Sequence, residues 1–208
     1  MRKVGILGGT FDPVHWGHLL IAETALIQVE LEQVIWVPSW CPPHKQKTEI
    51  FKHRLEMVQQ AIADHPAFTI SIEAANRQPS YPIEILIDIQ GVYPNIHGYW
   101  IVGLDAFQTL HRWYRRQELA AECDWLVAPR IVSATPAANI SQIQLCEQVA
   151  QKLAAEGINI RWQMLQMPWV GLSSSLIRQY CRDGNSLRYL VPEAVRAYIA
   201  AHHFYQSN

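Results

Sequence analysis

A doubly wound, mainly parallel α/β sheet is the fold this chain of 208 residues predicts. Three observations lead there. Short apolar runs, each long enough for one buried strand, recur along the chain between stretches of helical spacing. The first run, Lys3-Val4-Gly5-Ile6-Leu7, begins almost at the N-terminus and passes through a glycine pair towards Leu19–Ile27, a helix-forming segment without Gly or Pro. Half of the residues are hydrophobic and only 17% are charged, so the chain can bury a substantial core without disulfide or metal staples.

The elements follow in order. Gln33–Pro38 reads as a second strand, and Phe51–Asp64 as a helix whose apolar residues fall at Phe51, Leu55, Val58, Ala61 and Ile62. Phe68–Glu73 alternates as a strand with one wetter face. Pro82 can open a helix at its first turn, although Ile83, Ile85, Ile87 and Ile89 alternate as in a strand. We read it as a helix, because two successive strands would break the pattern. Tyr99–Val102 is a strand, Arg116–Cys123 a helix and Trp125–Ala128 a strand. Residues 131–143, with Ser133, Pro136, Asn139 and Ser141, look loop-like. Gln142–Glu156 is a helix and Ile158–Leu165 a strand. Ser174–Arg182 is a helix with serine at its start and Gly184 past its end, and Pro192 opens a last helix to about His202. Alternation of this kind implies a single sheet of Rossmann-like topology with a small helical part from about residue 174. Residues 1–208 read as a single domain. Ligands on such sheets bind at the carboxyl ends of strands, near a topological switch point.

Composition excludes several classes. A formal charge of −1 gives no basic field for nucleic acid, and no apolar run is long enough to span a bilayer. Cys41, Cys123, Cys146 and Cys181 are scattered without a C-x-x-C pair, which fits a reducing cytoplasm and argues against structural zinc. His202 and His203 close the last helix, where dipole pairing or exposure is favoured over metal binding. Most of the eight tryptophans are expected in the core. Nothing decides between a monomer and a homo-oligomer.

Gly8-Gly9-Thr10-Phe11-Asp12-Pro13-Val14-His15-Trp16-Gly17-His18 carries the chemistry. Two glycines permit positive φ and close approach of a ligand. The helix that follows offers unpaired N–H groups and partial positive charge, and two histidines three apart can both donate to phosphate oxygens. A glycine pair alone is more often structural, and the spacing is neither G-x-G-x-x-G nor a loop ending in G-K-[ST]. The added H-x-G-H turns the reading towards a nucleotide phosphate site.

This stretch resembles the signature of the nucleotidyltransferase superfamily, which shares H-x-G-H with class I aminoacyl-tRNA synthetases. Its longer form is similar to that of the bacterial nicotinate mononucleotide adenylyltransferases. Further segments follow the same family. Pro42-Pro43-His44-Lys45, by itself either a ligand-facing excursion or a solvated basic loop, matches P-P-H-K, and Lys45 would bring positive charge to a phosphate. Gly103-Leu104-Asp105 matches a G-x-D that contacts the adenosine part. Trp113-Tyr114 matches an aromatic pair whose tryptophan stacks on the pyridine ring, and Leu172–Arg178 matches I-S-S-T-x-I-R. Ser80-Tyr81-Pro82-Ile83-Glu84 departs from the usual S-Y-T-V-D, removing an N–H and a hydroxyl near the nicotinate carboxylate, and Arg130 lacks the usual P-G-Y after it.

The resemblance implies adenylyl transfer from ATP to nicotinate mononucleotide in NAD biosynthesis, with Mg²⁺ accompanying ATP and no dedicated metal site. His15, His18, Lys45 and Arg178 would be catalytic. Gly8, Gly9, Thr10, Phe11, His18, Gly103, Asp105, Ser174, Ser175 and Arg178 would bind ATP. Asp12, Lys45, Tyr81, Trp113 and Tyr114 would bind the mononucleotide. An acceptor such as nicotinamide mononucleotide, and a non-catalytic nucleotide-binding module, are the rival readings. The short chain and the missing K-M-S-K-S argue against a tRNA-charging enzyme.

Overall fold

In the computed structural model, which describes residues 1–40, 50–75, 80–130 and 136–206, strands and helices alternate along the chain. The strands are β1 (Arg2–Gly9), β2 (Gln33–Pro38), β3 (Phe68–Ile70), β4 (Ile96–Gly103), β5 (Cys123–Ala128) and β6 (Trp162–Met164). Between and after them lie α1 (Trp16–Gln28), α2 (Phe51–Ile62), α3 (Ile72–Ala75), α4 (Pro82–Val92), α5 (Leu104–Phe107), α6 (Arg116–Glu122), α7 (Pro136–Ala154), α8 (Ser174–Arg182) and α9 (Glu193–Ala201). A 3-10 turn at Leu110–Arg112 joins α5 to α6.

All pairings are parallel, in the order β3-β2-β1-β4-β5-β6. The order reverses between β1 and β4, so their carboxyl ends open the crevice in which such sheets bind ligands. Helices cover both faces. Ile6, Val37, Trp100 and Trp125 face one apolar layer, while their neighbours Leu7, Trp36, Ile101 and Leu126 face the other. That two-residue alternation with both sides buried makes the central strands read as unbroken apolar runs. No helix among the described residues is long and apolar enough to cross a membrane.

Several expectations are corrected. The edge strands are shorter than their apolar runs. β3 stops at Ile70 because the chain turns into α3 there: the Ser71 N–H makes a last bond to Trp36 O at 3.2 Å, and the Ala75 N–H turns back to Ser71 O at 3.1 Å to close α3. β6 likewise pairs only from Trp162 to Met164. Residues 136–143 are helical rather than loop. The buried stripe of α7 runs Gln142, Cys146, Val149, Leu153, and glutamine occupies its first inward position because its side-chain oxygen accepts the Arg130 N–H at 2.7 Å. The apolar period therefore begins a turn later than the helix does. Of the tryptophans, Trp36, Trp100 and Trp125 are buried, whereas Trp16 and Trp40 are exposed and the others half-buried.

α8 and α9 behave as their caps require. The Ser173 hydroxyl accepts from Leu176 N at 3.1 Å, and Gly184, at φ 69°, continues past the end of α8. His202 caps α9, its ring nitrogen 3.0 Å from Tyr198 O.

Candidate active site

β1 ends at Gly9 and α1 begins at Trp16, so the turn expected to meet phosphate is Thr10–His15. The glycines work differently from the expected positive φ. Gly8 and Gly9 are extended, and the left-handed residue is Phe11, at φ 50°. A Cβ on Gly9 would sit 2.8 Å from the Phe11 ring. Gly9 is thus the space into which that ring folds, which buries Phe11 and brings it edge-on to His18 at 5.0 Å.

His15 is the N-cap of α1 and His18 lies in its first turn. Their rings stack at 3.7 Å, and His18 Nδ1 accepts the His15 backbone N–H at 3.3 Å. In the neutral ring that bond leaves the proton on His18 Nε2, a donor. His15 is only 5% exposed, and its Nδ1 has no hydrogen-bond partner among the described residues. Burial pushes its pKa down to about 4, so it is a neutral imidazole at neutral pH. The glycine of the motif is explained by the same ring: a Cβ on Gly17 would lie 2.9 Å from His15 Nδ1.

The far end of the chain returns to this turn. The Ser174 hydroxyl donates to Pro13 O at 3.0 Å. Arg178 Nη1 donates to Asp12 O at 2.7 Å and its Nη2 to Ser175 Oγ at 3.2 Å. Asp12 is buried, accepts the Tyr205 hydroxyl at 2.7 Å and lies 3.8 Å from Arg178. The N-terminus of α8 is therefore docked beside that of α1, two positive helix ends converging on one opening.

A cleft of about 590 Å³ lies there, lined among others by His15, His18, Gly103, Asp105, Ser174 and Ser175. Gly103 closes β4, and Asp105 in α5 pairs with Arg130 at 2.7 Å. Both partners are well exposed, so the pair is weak and displaceable. Among the described residues, no group of three or more His, Cys, Asp or Glu could hold a metal ion. Lys45 lies outside the described residues, as does the Pro42-Pro43-His44 stretch before it.

The aromatic residues form a second group, off that cleft. Tyr81 caps α4 and its ring lies 4.5 Å from that of Tyr114, both exposed. Trp113 is half-buried, edge-on to Trp125 at 5.7 Å, and its indole N–H donates to Thr109 Oγ1 at 3.1 Å. Sequence reasoning missed Ile21 and Trp169, which line the cleft, and Arg54, which is buried behind the turn. Arg54 had a signal: it falls between Phe51 and Val58 on the inward stripe of α2.

These features define a class first: residues 6–180 match the cytidylyltransferase-like family, and the chain belongs to it. Curated relatives narrow the assignment to the nicotinate-nucleotide adenylyltransferases within it. A protein of Nostoc sp. named "Probable nicotinate-nucleotide adenylyltransferase" is 57% identical over 100% of this chain and 99% of its own length. One of the same name from Lachnoclostridium phytofermentans is 35% identical over 99% and 100%. Among solved structures, the nicotinic acid mononucleotide adenylyltransferase of Plasmodium falciparum complexed with NaAD superposes with a TM-score of 0.75. That match covers 99% of this chain and 98% of the other at 16% identity, a likeness of fold.

Proposed function

We propose that this protein transfers the adenylyl group of ATP to nicotinate mononucleotide, giving deamido-NAD and pyrophosphate. The observation that carries the reading is the docking of Ser174 and Arg178 onto Pro13 and Asp12, beside the His15–His18 pair. It assembles two helix N-termini and a ring N–H donor at one crevice, with the Arg178 guanidinium braced on the turn beside it. Relatives matching along the full chain carry the name of this activity.

An ionised phosphate oxygen of the acceptor attacks the α-phosphorus of ATP in line. The new P–O bond forms as the bond to the bridging oxygen breaks, and pyrophosphate leaves with that electron pair. The nucleophile is already an anion, so no general base is needed. Catalysis is then positioning and charge stabilisation. His18 Nε2–H donates to a phosphate oxygen near the reacting centre. His15, neutral and walled in, orients His18 through its backbone N–H and offers a second imidazole to the same region. Arg178, with Ser174, Ser175 and the amides of α8, holds the departing pyrophosphate. Gly103 and Asp105 meet the adenosine part. Mg²⁺ would arrive with the oxygens of ATP, shielding their charge.

For the acceptor, Tyr81, Trp113 and Tyr114 supply flat faces for a pyridine ring. Pro82, at the first turn of α4, has no N–H to give a carboxylate. That observation keeps nicotinamide mononucleotide as a second acceptor. The test is kcat/KM for the acid and the amide, with pyrophosphate release followed under ATP and Mg²⁺. Preference for the acid is expected, and equal or better use of the amide would overturn the acceptor assignment.

A further inference from the structure

We propose that Arg54 is a positioning residue for this reaction: it fixes the phosphate turn, and through it the His15–His18 pair. The proposal rests on the adenylyl-transfer reading above. Arg54 and Asp12 are, His15 aside, the buried residues with an ionisable side chain and a formal charge among those described, and both hold this turn. From α2, the Arg54 guanidinium donates to Thr10 O at 2.6 Å, Ser39 O at 2.8 Å and Trp40 O at 3.0 Å. These carbonyls belong to two separate segments, the start of the phosphate turn and the exit of β2. Ser39 adds a second tie, its N–H and its hydroxyl both donating to Gly9 O at 2.8 and 3.0 Å.

The chemistry of the side chain suits the task. A guanidinium presents donors in fixed, planar directions and can satisfy carbonyls from different segments at once, which an ammonium cannot. Burying such a cation is unfavourable, and a well-packed apolar side chain would serve the core at least as well. What an apolar side chain could not do is set the Thr10 carbonyl. That carbonyl immediately precedes Phe11, whose left-handed backbone and ring contact fix the approach to His18. Arg54 is not among the residues lining the cleft, so it acts through the turn. Misplacement of reacting groups by about 1 Å suffices to lower a rate roughly 10²-fold.

Arg54→Lys keeps the charge and loses the fork. Wild-type turnover is measured first: its absence with every acceptor strikes the adenylyl-transfer reading itself. With turnover in hand, folded Arg54→Lys, checked by circular dichroism and assayed well below its Tm, should lose roughly 10- to 100-fold in kcat. KM for ATP should change far less. In a His18→Ala background the same substitution should cost less than about 2-fold, because its effect passes through His18. Wild-type kcat in the folded variant, or the same full loss with and without His18, would overturn the proposal. Arg54→Gln, which keeps a planar amide donor, is carried in parallel. Failure of both variants to fold would make Arg54 a folding residue and equally overturn it.

Discussion

Replacing His15 with Asn should flatten the acid side of the stability curve. Asn is a favoured N-cap, so the start of α1 is preserved while the titrating ring is removed. In the unfolded chain this imidazole takes up a proton near pH 6.5, and in the folded protein only near pH 4, because burial disfavours the cation. As pH falls through 6.5 the unfolded state therefore binds a proton that the folded state refuses. Stability from this residue is full above pH 6.5, declines down to about pH 4, and falls no further below that. The gap amounts to roughly 3 kcal/mol, of which about 2 kcal/mol is lost by pH 5. Urea unfolding of both proteins between pH 4.5 and 7.5 gives the comparison, and subtraction removes the other titrating groups. The difference in unfolding free energy should shrink by about 2 kcal/mol between pH 7.5 and pH 5. Parallel curves would show that His15 titrates alike in both states, and would remove the assignment of a neutral, walled-in ring.

His18→Ala should fold and lose roughly 10² to 10³ in kcat, the scale for one preorganised donor; near-normal turnover would deny His18 its part in the reaction. Arg178→Lys keeps the charge without the fork held by Asp12 O and Ser175, so kcat/KM for ATP should stay impaired, and unchanged ATP kinetics would place the residue elsewhere. Gly17→Ala puts a methyl 2.9 Å from His15 Nδ1 and should lower both Tm and kcat, with overpacking of about 1–3 kcal/mol; a variant unchanged in both would mean the ring yields freely. Trp113→Ala should raise KM for the mononucleotide far more than KM for ATP, and an effect confined to ATP would contradict the stacking role.

The central sheet was legible because β1, β2, β4 and β5 are buried on both faces and so appear as apolar runs. The edges were not, since β3 ends where the chain turns into α3 and β6 after three paired residues, which composition does not mark. The start of α7 was hidden by Gln142, a polar side chain on the inward stripe that is satisfied by Arg130 N. At the site, H-x-G-H and the serine-led helix were found from sequence, but their mutual docking depends on tertiary return of the chain. Likewise the glycine pair announced a turn, while the reason for Gly9, the folded-back ring of Phe11, needed coordinates. Arg54 lay on the inward stripe of α2, and only its bonds to carbonyls of two separate segments show why a cation belongs there.

The most direct test follows the α-phosphate. Incubating the protein with ATP labelled at that phosphorus, Mg²⁺ and nicotinate mononucleotide should move the label into a dinucleotide, release unlabelled pyrophosphate and leave the protein unlabelled. No label should move when the mononucleotide is omitted. Label appearing as AMP or on the protein regardless of acceptor, with no labelled dinucleotide, would contradict direct adenylyl transfer.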